Sequence, residues 1–196
     1  AIAKSSEWSV SETSKLRLIS PYAQNDLKNF IVGLQYQMEP GWKTYWKSPG
    51  DGGFPQKISW ENSSNVKNVN ILWPTPVKFE ILGLTSLGYQ NNVIFPLEVE
   101  VKDSSKNTFL NLHVSYLICE EICIPGDARL LLEIPAGKKK LTNNYFNLEQ
   151  ALSFLPVKDI KKSYIKKIKA NVLKNNKNSI IQLQFDSDKI FFNPKI

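Results

Sequence analysis

The sequence predicts an all-β chain: an immunoglobulin-like antiparallel β-sandwich, followed by a short partly helical segment and two further strands. Three observations carry that expectation. Apolar and polar residues alternate with period two over long stretches, the mark of half-buried strands. Seven or eight such short segments are separated by proline- and glycine-rich turn signals, as a sandwich requires. The pattern then breaks at Pro135-Ala136-Gly137, where the run Lys138-Lys139-Lys140 begins.

The strand candidates follow in order. Lys15–Ile19, Phe30–Gln37 and Trp42–Lys47 come first, with Glu39-Pro40-Gly41 turning the chain before the third. Ser48-Pro49-Gly50-Asp51-Gly52-Gly53 reads as a turn, since it lacks the Gly-Lys-Ser/Thr ending of a phosphate loop. Lys57–Trp60 and Asn68–Leu72 come next, closed by Trp73-Pro74-Thr75-Pro76. In the first long strand, Val93, Phe95, Leu97, Val99 and Val101 alternate with Ile94, Pro96, Glu98 and Glu100. In the second, Leu110, Leu112, Val114, Tyr116 and Ile118 alternate with Asn111, His113, Ser115, Leu117 and Cys119. Pro125-Gly126-Asp127 reads as a turn before a last strand at Arg129–Ile134.

The expected organisation is an immunoglobulin-like domain over residues 1–137, then a lysine-rich linker and partial second β domain over 138–196. A short helix is expected near Asn147–Phe154, stopped by Pro156. Ile168–Leu173 and Ile180–Phe185 are strand candidates around a hairpin turn at Asn175-Asn176-Lys177-Asn178. Two strands are not stable alone, so the tail either packs on the first domain or opens a second.

Composition narrows the function classes. Hydrophobic residues make up 42% of the 196, enough for a substantial core. No stretch of 18 apolar residues exists to span a membrane as a helix. The start, Ala1-Ile2-Ala3-Lys4-Ser5, lacks the apolar centre of a signal peptide and is compatible with what cleavage leaves behind. The net charge of +7 is local: residues 158–177 hold eight lysines and one acid, whereas residues 1–137 hold 12 basic and 14 acidic side chains. Those lysines have no arginine among them, and Tyr164 is their only aromatic, which argues against a nucleic-acid groove. One histidine and two cysteines cannot build a structural zinc site, so no metal and no cofactor are expected.

The two cysteines stand close together in Cys119-Glu120-Glu121-Ile122-Cys123. A disulfide over so short a loop does little to staple a fold, because loop-closure stabilisation grows with loop length. The spacing fits electron exchange, in which a thiolate attacks a disulfide and a second thiol resolves the mixed species. The expected geometry is a strand ending at Cys119, a turn, and Cys123 on the returning chain. Glu120 and Glu121 should disfavour a thiolate, so the pair reads as a relay that reacts when a partner docks. His113, about 20 Å along the strand from Cys119, reads as a polar residue on a solvent face. A structural clip is the alternative reading of the cysteines.

Four separated motifs then point to a family. They are Gly41-Trp42-Lys43-Thr44-Tyr45-Trp46-Lys47-Ser48-Pro49-Gly50-Asp51; Trp73-Pro74-Thr75-Pro76 with Phe79-Glu80; Gly83-Leu84-Thr85-Ser86-Leu87-Gly88-Tyr89; and Tyr116 through Pro125. In this order, over residues 7–135, they resemble the periplasmic N-terminal domain of the DsbD family of thiol:disulfide interchange proteins, most closely its ScsB-like branch. The resemblance implies a protein-disulfide reductase domain of a membrane-anchored protein. Electrons from a thioredoxin-like donor domain would pass through this periplasmic domain to disulfide-bearing acceptor proteins. Cys119 and Cys123 match the family's reactive pair, with fewer residues between them than in the DsbD branch. The family's cap loop, which covers the cysteines and opens on docking, corresponds to Phe79–Tyr89, with Gly83 and Gly88 as hinges. Phe79 and Tyr89 are then lid aromatics, or else ordinary core aromatics. Trp42, Tyr45 and Trp46 match an aromatic strand near the active site, with Tyr45 on the face opposite the tryptophans, which are site aromatics or else core residues.

Two other readings stand beside this one. The chain is a β-sandwich module binding protein or glycan with a structural disulfide, or a basic protein acting through Lys158–Lys177. The second would show binding that collapses with salt.

Overall fold

A computed structural model describes residues 4–81, 83–157, 164–174 and 179–189. Its strands are β1 (Ser9–Val10), β2 (Ser14–Ile19), β3 (Tyr22–Gln24), β4 (Asn29–Met38), β5 (Lys43–Gly50), β6 (Lys57–Ser59), β7 (Val66–Ile71) and β8 (Val77–Ile81). They continue with β9 (Leu84–Gln90), β10 (Asn92–Val101), β11 (Thr108–Cys119), β12 (Cys123–Ile134) and β13 (Lys140–Leu141). Helix α1 (Tyr145–Ser153) precedes β14 (Ile165–Lys174) and β15 (Ser179–Ser187). The chain divides into two compact units, residues 1–155 and 156–196.

The first unit is an antiparallel sandwich. One sheet has the order β1-β2-β4-β10-β7; the other runs β12-β11-β5-β9-β8, with β6 also paired to β11. The alternation in the sequence sets the inner faces. Leu16, Leu18, Val32, Leu34, Leu97 and Val99 from one sheet meet Leu110, Leu112, Val114, Leu130 and Leu132 from the other, all buried. Aromatic rings close one end of this core. Phe95 takes Tyr36, Trp73 and Tyr89 edge-on, with centroids 4.9–5.6 Å apart.

Helix α1 packs on the outer face of the first sheet. It buries Leu148 and Ala151. Gly33 makes room for it: a methyl group there would meet Ile19, Ile94 and Leu148 within 3.1 Å. Residues 138–155 therefore pack with the sandwich, β13 by pairing with β3.

Two expectations differ from the fold. Pro125-Gly126-Asp127 is no turn, because all three residues lie inside β12. That strand is the free edge of its sheet, where a missing proline N–H leaves no ladder bond broken. Gly126 faces Tyr116 across the pair, and a methyl there would come within 2.4 Å of the phenol ring. The proline-glycine pair thus serves an edge and a close approach. Second, the segment Phe79–Tyr89 is a β-hairpin, β8 with β9, in which Gly88 is a paired residue and no hinge. A side chain at Gly88 would strike the Thr44 carbonyl at 2.0 Å, so that glycine serves close packing with β5.

In the second unit β14 and β15 form a two-stranded antiparallel ribbon. The expected hairpin turn at 175–178 lies outside the described residues. Among the described residues, no helix is long and apolar enough to cross a membrane.

Candidate functional site

The long β11–β12 hairpin delivers the two cysteines. Its register pairs residue with residue from Thr108↔Ile134 up to Cys119↔Cys123, so both sulfurs emerge on one face at the tip. Glu120, Glu121 and Ile122 make the turn. The Cα atoms are 4.1 Å apart and the side chains are joined as a disulfide. This separation falls just below the usual disulfide range, since directly paired antiparallel residues already approach this closely.

Alternation along β11 turns Cys119 away from the main core, to the opposite face of the sheet from Ile118 and Tyr116. There a second, small apolar cluster gathers Cys119, Tyr45, Phe79 and Ile81, with Leu117 against it. β5 contributes Tyr45 because Lys43 pairs with Cys119, placing the side chain two residues on over the same face. β8 contributes Phe79 and Ile81. The Phe79 ring lies 6.1 Å from that of Tyr45, tilted by 49°. The Tyr45 hydroxyl donates to Cys119 Sγ at 2.9 Å and lies 3.6 Å from Cys123 Sγ. Burial pushes the pKa of that hydroxyl above its ordinary value.

The two cysteine residues differ sharply in exposure. Cys119 is 0% exposed, whereas Cys123 is exposed. Ile122, 66% exposed, stands beside it in the turn. Phe54, 72% exposed, follows Gly53 in the chain. A methyl at Gly53 would come within 2.1 Å of the Tyr45 ring. Ile122 is thus an exposed apolar side chain next to Cys123 in the chain.

The remaining predicted residues fall in different places. Glu120 and Glu121 are exposed in the turn, and the Glu120 carboxylate lies against Gly41. Lys43 Nζ donates to the Gly41 carbonyl at 2.7 Å and stands 5.9 Å from the Phe79 ring centre. Trp42 and Trp46 pack against the main core, on the other side of the sheet from Tyr45. Tyr89 also belongs to the main core, where its hydroxyl donates to the Pro74 carbonyl at 2.7 Å. His113 bonds Asp127 at 2.8 Å on the exposed surface. Among the described residues, no three His, Cys, Asp or Glu side chains gather to hold a metal ion. Gly53, Ile81 and Ile122 also border the site, without a site motif of their own in the sequence. The Gly50-Asp51-Gly52-Gly53 run signals a turn in the sequence, but nothing in it signals the approach of Gly53 to the Tyr45 ring.

Residues 17–135 match the family described as thiol:disulfide interchange protein DsbD, N-terminal. The chain belongs to the DsbD N-terminal family. Among solved structures it is similar to the N-terminal periplasmic domain of ScsB from Proteus mirabilis, at 24% identity and a TM-score of 0.74, covering 96% of this chain and 71% of that one. A second likeness is to the DsbD N-terminal domain of Neisseria meningitidis in the reduced form, at 10% identity and a TM-score of 0.35, covering 65% of this chain and 90% of that one. No curated protein matches the sequence. Family membership and the Cys119–Cys123 disulfide together make this DsbD-family chain a thiol–disulfide exchange domain in broad class.

Proposed function

We propose that the chain is a periplasmic relay that takes electrons from a thioredoxin-like donor domain and passes them to disulfide-bearing acceptor proteins, working as a protein-disulfide reductase. The observation that carries this is the unequal exposure of the two cysteine residues. An exposed cysteine bonded to a buried one directs an incoming thiolate to the exposed member. The donor thiolate attacks Cys123 Sγ, and the Cys119–Cys123 bond breaks with its electron pair going to Cys119 Sγ. The donor's second thiol, once deprotonated, attacks the donor sulfur of the mixed disulfide and releases Cys123. Two electrons and two protons have then moved from the donor dithiol to this pair. Passage to an acceptor runs the same steps in reverse, with Cys123 as the attacking thiolate.

The β8–β9 hairpin has the role of a cover in this scheme. Phe79 and Ile81 shield the Tyr45–Cys119 side of the disulfide and leave Cys123 for a docked partner. The full protein is then anchored at the inner membrane through parts outside this chain.

The test uses single-cysteine variants and a thioredoxin-like protein that lacks its resolving cysteine and whose remaining thiol is activated as a mixed disulfide with thionitrobenzoate, the leaving group when a variant's thiolate attacks. Cys119→Ser should form a mixed disulfide through Cys123, and Cys123→Ser should form none. The reduction potential of the wild-type pair should fall between about −270 and −120 mV, the span of exchange proteins, rather than below about −300 mV, where structural disulfides lie. No trapping by either variant, with a potential below that limit, would overturn the relay and leave a structural clip.

A further inference from the structure

The exchange steps above need only two sulfurs and a partner dithiol, yet a buried phenol stands against both sulfurs. Tyr45 is 1% exposed, and its hydroxyl donates to Cys119 Sγ at 2.9 Å with Cys123 Sγ at 3.6 Å. We infer that Tyr45 is a catalytic residue of the exchange, its O–H holding the negative charge that arrives on Cys119 when the disulfide opens. This rests on the relay reading.

The need for such a donor follows from where Cys119 sits. Its sulfur lies within an apolar cluster of Phe79, Ile81 and Leu117, cut off from water. A thiolate left there without a partner is strongly disfavoured, and a poor leaving group slows the opening of the disulfide. The charged groups on the surrounding elements do not supply the remedy. Glu120 and Glu121 in the turn oppose a thiolate, as does Glu80 on β8. Lys78 lies on β8 as well. Lys43 on β5 is in register with Cys119, but its ammonium bonds the Gly41 carbonyl. The Tyr45 hydroxyl is left as the donor in contact, and burial keeps it protonated.

The ring is also held in place. Gly53 packs against it so closely that a methyl group would overlap the ring atoms, and Phe79 packs on it at 6.1 Å. Because both sulfurs are within reach, one small motion about the phenol C–O bond redirects the proton. It serves Cys119 as the disulfide opens and Cys123 as the mixed disulfide resolves. The pair of the Cys119–Cys123 bond leaves on Cys119 and the pair of the mixed disulfide leaves on Cys123, so the partner dithiol supplies two electrons in all, and the tyrosine proton is shared and not transferred. No reductant beyond the partner's own dithiol is required.

The experiment measures the equilibrium and rate of reduction of the full chain by dithiothreitol. It also follows the thiolate absorbance of the Cys119 thiol against pH in a Cys123→Ser background. Tyr45→Phe keeps the ring and removes the donor. It should shift the equilibrium about tenfold towards the disulfide, about 30 mV more negative in potential. The Cys119 thiol pKa should rise by about one unit, and reduction should slow by about threefold. Site-specific 3-fluorotyrosine at position 45, a stronger donor of the same shape, should move the potential and the pKa the opposite way. It decides the matter if Tyr45→Phe does not fold. A variant that lowers only the unfolding midpoint, with potential and thiol pKa unchanged, overturns the inference and makes Tyr45 a packing residue. Failure of the wild-type chain to be reduced at all overturns the relay itself, and so separates the two.

Discussion

Gly126 lies opposite Tyr116 in the β11–β12 pair, and the phenol ring fills the space that a side chain would take. Gly126→Val should therefore cost about 1–3 kcal/mol by overpacking, read from the midpoint of denaturant unfolding. The disulfide tip, three residues along the same pair of strands, should still form. Asp127 next to it shows how little a surface carboxylate needs to be tuned. The Ser115 hydroxyl at 2.7 Å, and then His113 at 2.8 Å, hold its pKa below the ordinary carboxylate value. A pKa lowered by folding stabilises the fold above the unfolded-state pKa, and that contribution fades as pH falls through the folded value. Ser115→Ala should move the Asp127 titration back up towards the ordinary carboxylate range, as followed by NMR, with little change in stability at neutral pH.

Among the elements, the β8–β9 hairpin separates what was legible from what was not. The strands of the main core were legible because each alternates over many residues and faces a thick apolar layer, as β10 and β11 do. In β8 the same alternation exists, with Phe79 and Ile81 buried between exposed Lys78 and Glu80, but over five residues only. Its partner β9 carries Thr85, Ser86 and Gly88, so neither strand announces a core. The cysteine pair was legible from its spacing, and Tyr45 from its motif. Gly53 was not, because its importance lies in a close approach to the Tyr45 ring, which local pattern does not encode. The hairpin's contribution is measurable at Phe79. Phe79→Ala should cost about 3 kcal/mol in unfolding free energy, since the ring is buried against Tyr45 and the site lies at a sheet edge. It should also speed reduction of the disulfide by dithiothreitol, because the small cluster around Cys119 is opened to solvent. A stability loss without faster reduction would make the hairpin a support and not a cover.

The whole molecule is built from two units of unlike physical character. Residues 1–155 contain 15 basic and 15 acidic side chains, so the entire charge of +7 belongs to residues 156–196. Those residues also lack a core of their own among the described positions. The ribbon register sets Ile168, Ala170 and Val172 across from Phe185, Leu183 and Ile181 on one face, and Lys167, Lys169 and Asn171 across from Asp186, Gln184 and Gln182 on the other. One sheet of two strands with an apolar face supplies half of a packed layer, which is why such a ribbon adds little stability by itself. The sandwich, by contrast, contains both apolar clusters, the disulfide and helix α1 within its own compact unit. Folding and chemistry should therefore separate from charge. A chain ending at Leu155 should keep the unfolding midpoint of the disulfide-bearing sandwich and the potential of its cysteine pair. The same truncation should abolish retention on a cation exchanger at pH 7, where the whole chain binds and elutes with salt. A fall in the midpoint or a changed potential would mean that residues 156–196 support the sandwich directly.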